Sequence, residues 1–377
     1  MDTPIAGYRT ELLDLAFEAA SSFPIDPHIK NRSRAQENVI LTCFQLGQLR
    51  RVRGYIDRVD NWRKGAALAD FANECWIKGD RAHAKDALQK AIQVAESSSK
   101  DRTAQAWRTS RILAKVARVY LLMGEKDQAS RIANKVIATE TGPMDAAVVD
   151  GMEPSRFEEA LKEVDATLLS GDFDQVRNAL ASCVRMFERF YGDEARRSIL
   201  EDRVRHGYEK LPLDVRIHLL LDLARSCLRK QDSNKARELI LAAQAHLDQA
   251  DWLPQQEIPL QCQIAVLQKE VAEPEKARKQ VSRALRLYEQ KRKTVYDIYR
   301  AGLLRPIAEA LVALGDRARA LQIYKMAAEA GQENPNSRPR CDDLVATCCS
   351  LARNGLEPDA ELRARLIQIR KALGQPW

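Results

Sequence analysis

The amino-acid sequence predicts an all-α fold, an α-α superhelix of about eight helical hairpins with a capping helix at each end. Three observations indicate this. Aromatic residues make up only 6% of the chain, and helix-favouring Ala, Leu, Arg, Glu, Gln and Lys are abundant. Several segments with helical apolar periodicity end in glycine followed by an acid, as in Gly79-Asp80 and Gly315-Asp316. Small residues recur at fixed distances from those glycines, which predicts one helical pair repeated along the chain.

Composition limits the class of protein. An apolar content of 45% is enough for a core, and 30% charged residues is typical of a soluble helical protein. No stretch approaches the roughly 20 apolar residues of a membrane span, and early acidic residues interrupt any signal-peptide core. The eight cysteines form no CxxC pair and have no zinc-ligand spacing. We therefore expect a cytoplasmic protein with reduced thiols, no cofactor, no metal and no membrane association.

One position closes the first helix of each predicted hairpin. The residues there are Gly47, Gly79, Gly124, Gly171, Gln231, Ala272, Gly315 and Gly355. Glycine takes the left-handed conformation without a Cβ penalty, and an acid after it can cap the second helix. Seven residues before the turn the sequence has Ile40, Ala72, Ala117, Val164, Ala224, Ala265, Ala308 and Cys348. Mostly small side chains at this position let two antiparallel helices approach closely.

This pattern resembles the tetratricopeptide repeat family over roughly residues 34–373. The resemblance implies stacked helical hairpins whose first helices line a concave, ligand-binding surface. Most units here are longer than the family standard, and Gln231 and Ala272 replace two turn glycines, so those units are expected to bend differently.

The repeats divide the chain into four segments of one continuous solenoid. These are an N-terminal capping helix and loop (1–33), repeats (34–192), an inserted extra helix (193–212), and repeats with a C-terminal cap (213–377). The capping helices are predicted at 6–22 and 358–373. Residues 139–154 and 331–340, which contain Gly and Pro, are predicted as loops.

Catalytic motifs are absent from the sequence. There is no phosphate-binding, dinucleotide, zinc-protease or nucleophile-elbow motif, and the five histidines are scattered. The local group Cys341, Cys348 and Cys349 lacks metal-ligand spacing, and cysteine in the small-residue columns acts as a small buried hydrophobe. The prediction is a protein that is not an enzyme and has no catalytic residues.

The resemblance implies a partner site on the first helices. A protein or peptide, with an acidic peptide as one candidate, would contact the polar and apolar side chains at concave-facing positions. These are Phe44, Asn73, Trp76, Arg111, Lys115, Arg118, Leu121, Arg225 and Arg229. Some family members hold a terminal carboxylate with Asn, Lys and Arg, but Ala69 stands where such a clamp has Lys.

A basic segment gives the alternative. Nine Lys or Arg against three acids lie between His28 and Lys64. Phosphate contacts would come from Arg50, Arg51, Arg53, Arg58, Arg63 and Lys64, with Tyr55 and Trp62 available for base stacking. The alternative interpretation is that Trp76 and Phe44 are partly core and that the cations of both sets are solvated residues of helix surfaces.

Three hypotheses follow. The first is a protein-interaction scaffold that uses the concave face. The second is a nucleic-acid-binding or regulatory protein that uses residues 28–64. The third, an enzyme within a helical fold, is disfavoured because no ionisable cluster suits it. The partner and the oligomeric state are not predicted.

Overall fold

A computed structural model describes residues 2–100 and 105–377, and over these residues the chain forms nineteen α-helices and no strand. The helices are α1 (Gly7–Ser21), α2 (Ile29–Gln45), α3 (Leu49–Ile56), α4 (Arg63–Ile77), α5 (Arg81–Lys100), α6 (Ala106–Met123), α7 (Lys126–Ala133), α8 (Gly142–Asp150), α9 (Phe157–Ser170), α10 (Phe173–Arg189), α11 (Glu194–Gly207), α12 (Leu213–Arg229), α13 (Ser233–Leu247), α14 (Pro254–Glu270), α15 (Pro274–Lys291), α16 (Asp297–Ala313), α17 (Arg317–Gln332), α18 (Ser337–Asn354) and α19 (Ala360–Lys371). The predicted all-α fold is confirmed, and the chain is a helical-repeat protein.

Seven of the eight predicted turn residues end a helix in the left-handed conformation, with φ between 61° and 84°. Each of the seven donates its N–H to the carbonyl three residues back, and the next residue donates to the carbonyl five residues before it, as in Asp80 N to Cys75 O at 2.8 Å. This pair of hydrogen bonds is the Schellman motif, which satisfies the last carbonyls of a helix. Gln231 (φ 63°) and Ala272 (φ 62°) close their helices in the same way. The expectation that these units bend differently is therefore wrong at the turn itself.

The acid after the turn caps the next helix in four cases. The carboxylates of Asp172, Asp232 and Asp316 accept from the N–H three residues on at 2.9–3.2 Å, and Asp80 does so at 3.3 Å. The column seven residues before the turn is buried at all eight positions. This column of the predicted register therefore lies in the core.

The helices pack into two compact units. Unit 1 is Met1–Ser98, Leu253–Cys262 and Arg278–Trp377, and unit 2 is Ser99–Trp252 and Gln263–Ala277. The helices α14 and α15 each contribute residues to both units. Whether the array forms one continuous solenoid stays a prediction.

In unit 1 the first and last hairpins are neighbours. The predicted end helices are present as α1 and α19, and α1 packs against α18, α2 and α19. The first helices of successive hairpins contact one another in the order α16, α18, α2, α4, so the stacking passes directly from the C-terminal hairpin to the N-terminal one. The ion pairs Arg363–Glu11 (3.0 Å) and Arg370–Glu18 (3.9 Å) also join α19 to α1.

In unit 2 the structure differs from two of the predicted segments. The stretch predicted as a loop at 139–154 contains α8, which packs against α6 and α10. Its Pro143 lies in the first turn, where a helix needs no N–H, so glycine and proline delimit this helix without breaking it. The helix predicted at 193–212 exists as α11, but it is the hairpin partner of α10 and not an insertion.

Gly171 is the turn residue that the register places wrongly. Its backbone is extended (φ −73°, ψ 151°), and it joins α9 to α10 ahead of a reciprocal capping box between Asp172 and Gln175. The predicted loop at 331–340 is also shorter in the structure, because α17 continues to Gln332 and α18 begins at Ser337, with Pro339 in its first turn.

Candidate partner-binding surface

The predicted cations of α12, in unit 2, are paired within the fold. Arg229 holds Glu188 of α10 through two hydrogen bonds of 2.7 and 2.5 Å, which lower the pKa of Glu188. Arg225 donates to Asp222 at 2.5 Å and to Gln263 at 3.0 Å. Both guanidinium groups therefore connect neighbouring helices, and a ligand would have to displace carboxylate or amide partners to reach them.

The predicted residues of α6, also in unit 2, are half-buried. Arg111 makes a bidentate pair with Glu140 (2.8 and 3.1 Å) and lies 5.0 Å from the Trp107 ring. Arg118 forms no ion pair within residues 2–100 and 105–377. Lys115 and Leu121 lie on the same helix. Only part of this predicted cationic set is thus open to a partner.

In unit 1, α2 and α4 carry the other three residues that were predicted to face a concave surface. Asn73 is only 5% exposed, its Nδ2 donates to Glu74 at 3.3 Å, and its buried Oδ1 has no hydrogen-bond partner. Trp76 is half-buried beneath the Arg81 guanidinium, 3.5 Å from the ring centre, and Phe44 is also half-buried. Because Asn73 is turned into the core, its amide is not placed to grip a carboxylate.

The basic segment is neutralised largely by α1 and α2. Arg51 pairs with Asp14, Arg58 with Glu18 at 2.7 Å, and Arg63 with Glu37. Lys64 donates to the Asp57 carbonyl at 3.2 Å, and Arg50 and Arg53 remain exposed.

The two aromatic residues of that segment are buried. Tyr55 and Trp62 are each 8% exposed, and Tyr55 stacks on Phe17 with ring centres 3.9 Å apart. They are therefore not available to stack on bases. The acids of α1 were visible in the sequence, but their pairing with α3 depends on a packing that the repeat pattern does not specify.

A pocket that the sequence did not predict lies in unit 1, at the N-terminal ends of α16 and α18. We call it the Tyr299 pocket, and its volume is about 540 Å³. Its apolar lining is Ile298, Tyr299, Pro339 and Trp377, and its polar lining is Arg34, Asn336, Arg338, Asp342 and Asp343. Ile298 is 51% exposed and Tyr299 is 44% exposed, so both present apolar surface at the rim of this pocket.

Local structure explains why these side chains reach the pocket. Extended backbone at Tyr296 and Asn336 starts α16 and α18, so Ile298 and Tyr299 lie in a first helical turn. The tail is fixed beside them, because Ser337 donates its N–H to the Pro376 carbonyl at 2.8 Å. The Trp377 ring also lies 4.9 Å from Phe23.

Charge in the Tyr299 pocket is only partly balanced. Arg305 holds the buried Asp343 at 2.8 Å, and Arg34 lies 3.5 Å from Asp342. Burial raises the pKa of both aspartates, although the nearby arginines oppose that shift. Arg338 is exposed and forms no ion pair within the described part of the chain. The pocket thus offers apolar surface, carboxylate acceptors and one exposed cation that is in no ion pair.

The cysteines lack the environment of nucleophiles. All eight are unpaired and buried. Burial raises the pKa of Cys75, Cys227 and Cys349 to about 11 and that of Cys183 to about 12. These thiols therefore remain protonated and inaccessible, as expected for small core residues.

Metal-binding clusters and membrane-spanning helices are two further features that would change the assignment. Nowhere in residues 2–100 and 105–377 do three or more His, Cys, Asp or Glu side chains group so as to hold a metal ion. A bilayer span would need a long apolar helix, and none of the described helices is of that kind.

Known proteins resemble this chain in structure but not in sequence family. No protein-family model matches the chain, and no curated protein matches it. A solved structure described as a "circular tandem repeat protein with novel repeat topology and enhanced subunit contact surfaces" is 14% identical, with a TM-score of 0.25, over 97% of this chain and 94% of that one. At this level the likeness carries no functional information.

Proposed function

We propose that this protein is a non-catalytic interaction scaffold that binds a segment of a partner protein at the Tyr299 pocket. The observation that carries the proposal is the exposure of Ile298 and Tyr299 at the rim of a concave, partly apolar pocket. Exposed aromatic side chains beside a pocket are the usual centres of binding energy in protein interfaces.

The dimensions of the pocket fit this function. About 540 Å³ lies within the range of sites that enclose a small ligand or a few side chains. Trp377, Pro339 and Tyr299 offer rigid surfaces, which lose little conformational entropy when a partner packs on them.

The finer assignments are part of the same proposal. We infer that the hairpins are of tetratricopeptide type, since their turns and small-residue columns follow that pattern. We propose the cytoplasm as the compartment, because eight unpaired thiols suit a reducing environment. The concave-face residues predicted by resemblance, above all Trp76, Lys115 and Arg118, stay predicted contacts of a larger partner.

Partner capture with variant proteins tests the function. The full chain and a Tyr299→Ala variant would be used to capture proteins from the native host, and the bound proteins would be quantified by mass spectrometry. We expect the captured amount of the specific partner to fall at least about tenfold with Tyr299→Ala, as for a hot-spot side chain.

The matched control is Tyr296→Ala. Tyr296 is 73% exposed but does not line the pocket, so its removal should leave capture unchanged. Equal loss with both variants, or no loss with Tyr299→Ala, would contradict the site. Circular dichroism of each variant would show that the helices remain folded.

A further inference from the structure

The Tyr299 pocket is assembled from both ends of the chain. Arg34 comes from α2 in the first hairpin, whereas Arg338, Pro339 and Asp342 come from α18 in the last one. The same two helices contact each other, and the Arg34–Asp342 pair crosses their interface at 3.5 Å. A guest in this pocket therefore touches the first and the last hairpin together.

The surroundings of the pocket are basic. Residues 291–305 and 333–343 together with Arg34 contain eight Lys or Arg and four Asp or Glu. Arg292 and Arg300 share the single carboxylate of Glu333, so even the paired cations outnumber their acid. This excess favours an anionic guest.

The polar groups of the pocket distinguish between anionic guests. Asp342 and the Asn336 side chain offer hydrogen-bond acceptors beside the apolar side chains. A peptide presents an N–H donor at nearly every residue, whereas a phosphodiester backbone presents none. An acidic peptide can therefore satisfy both the acceptors and the surrounding cations, whereas a DNA backbone can satisfy only the cations.

From this arrangement we propose that the Tyr299 pocket binds an acidic peptide segment of a partner protein through one aromatic or aliphatic anchor side chain, and that the segment bridges the first and last hairpins of unit 1. The inference rests on the proposed function and adds the chemistry of the partner. The anchor packs on Tyr299 and Trp377, flanking carboxylates face Arg338, and backbone N–H groups face Asp342.

Peptide binding to the full chain tests the chemistry. Three short labelled peptides are compared by fluorescence anisotropy: one with a tryptophan among Asp and Glu, one with Lys replacing every acid, and one with Ser replacing the tryptophan. The first should bind at least about tenfold more tightly than the other two. A single-stranded oligonucleotide is the competing anionic probe and should not displace the first peptide.

Charge variants locate the contact. Arg338→Glu should weaken binding of the acidic peptide about tenfold, whereas Arg338→Lys should keep most of the affinity. Arg319→Glu is the matched control, because Arg319 is exposed on α17 and does not line the pocket. The affinity of this variant for the acidic peptide should stay within about twofold of that of the unchanged protein.

The outcomes separate this inference from the proposed function. Equal affinity for the acidic and Lys peptides, or no effect of Arg338→Glu, overturns the acidic preference but leaves partner binding at the pocket standing. Displacement by the oligonucleotide assigns the pocket to nucleic acid and overturns the inference. If none of the peptides binds, the inference fails, and capture with Tyr299→Ala decides the proposed function independently.

Hydrogen exchange tests the bridge. With the acidic peptide bound, backbone amides of α2 as well as those of α16 and α18 should exchange more slowly, and amides of α12 should be unchanged. Slowing confined to α16 and α18 would overturn the bridging role.

Discussion

The α12 surface and the Tyr299 pocket are both formed by first helices of hairpins, yet they treat their charges differently. On α12 the guanidinium of Arg229 lies in the two-bond grip of Glu188, and Arg225 holds Asp222 and Gln263. Around the Tyr299 pocket, cations outnumber acids, and Arg338 forms no ion pair within the described residues, although its charge acts on Asp342. A cation on a first helix is therefore open to a partner where the neighbouring helix supplies no carboxylate within ion-pair distance, as at Arg338, and not where it does, as at Arg229.

The largest loss of stability is expected where a charged side chain of the pocket is held in a buried ion pair. Replacing Arg305 by Ala leaves the buried Asp343 without its 2.8 Å partner, and breaking such a pair costs about 3–5 kcal/mol. Arg338→Ala removes an exposed, unpaired cation and should change stability by less than about 0.5 kcal/mol. Urea unfolding of both variants measures this difference. Similar losses would mean that Arg338 also has a structural role.

A smaller effect is expected at the turns that close the first helices of the hairpins. Ala272 and Gln231 adopt positive φ with a side chain, a conformation that costs about 1–2 kcal/mol. Ala272→Gly should therefore raise the free energy of unfolding, by about 1 kcal/mol after the extra flexibility of glycine in the unfolded chain. Gly79→Ala, at φ 82° with open space around it, should lower it by a similar amount. Thermal unfolding gives both values, and equal signs would contradict the turn assignment.

The α12 ion pair should contribute less. A double-mutant cycle of Arg229→Ala and Glu188→Ala should give a coupling of about 0.5–1 kcal/mol that falls as salt is added, because the arginine is largely exposed. The cycle is measured by urea unfolding at low and high ionic strength. A coupling that salt does not change would indicate a pair more shielded than the structure shows.

Lowering the pH should change the free energy of unfolding in opposite directions at the two surfaces. Because the Arg229 hydrogen bonds lower the pKa of Glu188, its stabilisation is present above the ordinary Glu pKa and is lost as pH falls through the lowered value. Burial raises the pKa of Asp342, so its charge opposes folding at neutral pH and acidification relieves that cost. Glu188→Gln should flatten the acid loss of stability, and Asp342→Asn should stabilise the protein at neutral pH. The reverse pattern in urea unfolding across pH would contradict this contrast.

Much of the fold could be predicted from the sequence, because the turns and the columns of small residues depend on residues that are close together in the chain. The left-handed turns, the caps of Asp172, Asp232 and Asp316, and the end helices all rest on residues a few positions apart. Gly171 misled the register because glycine also occurs at an extended junction, where a Cβ would lie 2.5 Å from the Thr167 carbonyl. Gly142, Pro143 and Gly151 delimit α8, and a composition rule could not distinguish such helix ends from a loop.

The candidate site was harder to predict because it depends on contacts between distant segments. Arg34 and Asp342 are separated by most of the chain, and Trp377 reaches the pocket through the tail. The available signal was the pair of tyrosines Tyr296 and Tyr299, which lie outside the columns of small residues that set the register. Of these two, Tyr299 lines the pocket. The pairing of Arg229 with Glu188 was invisible for the same reason, since it requires knowing that α10 and α12 are neighbours.

Hydroxyl-radical footprinting of the full chain with its captured partner bound, read by mass spectrometry, compares the two surfaces most directly. We expect oxidation of Tyr299 and Trp377 to fall on binding, while oxidation of the α12 side chains stays the same. Protection of α12 with Tyr299 still fully oxidised would contradict the assignment of the binding surface.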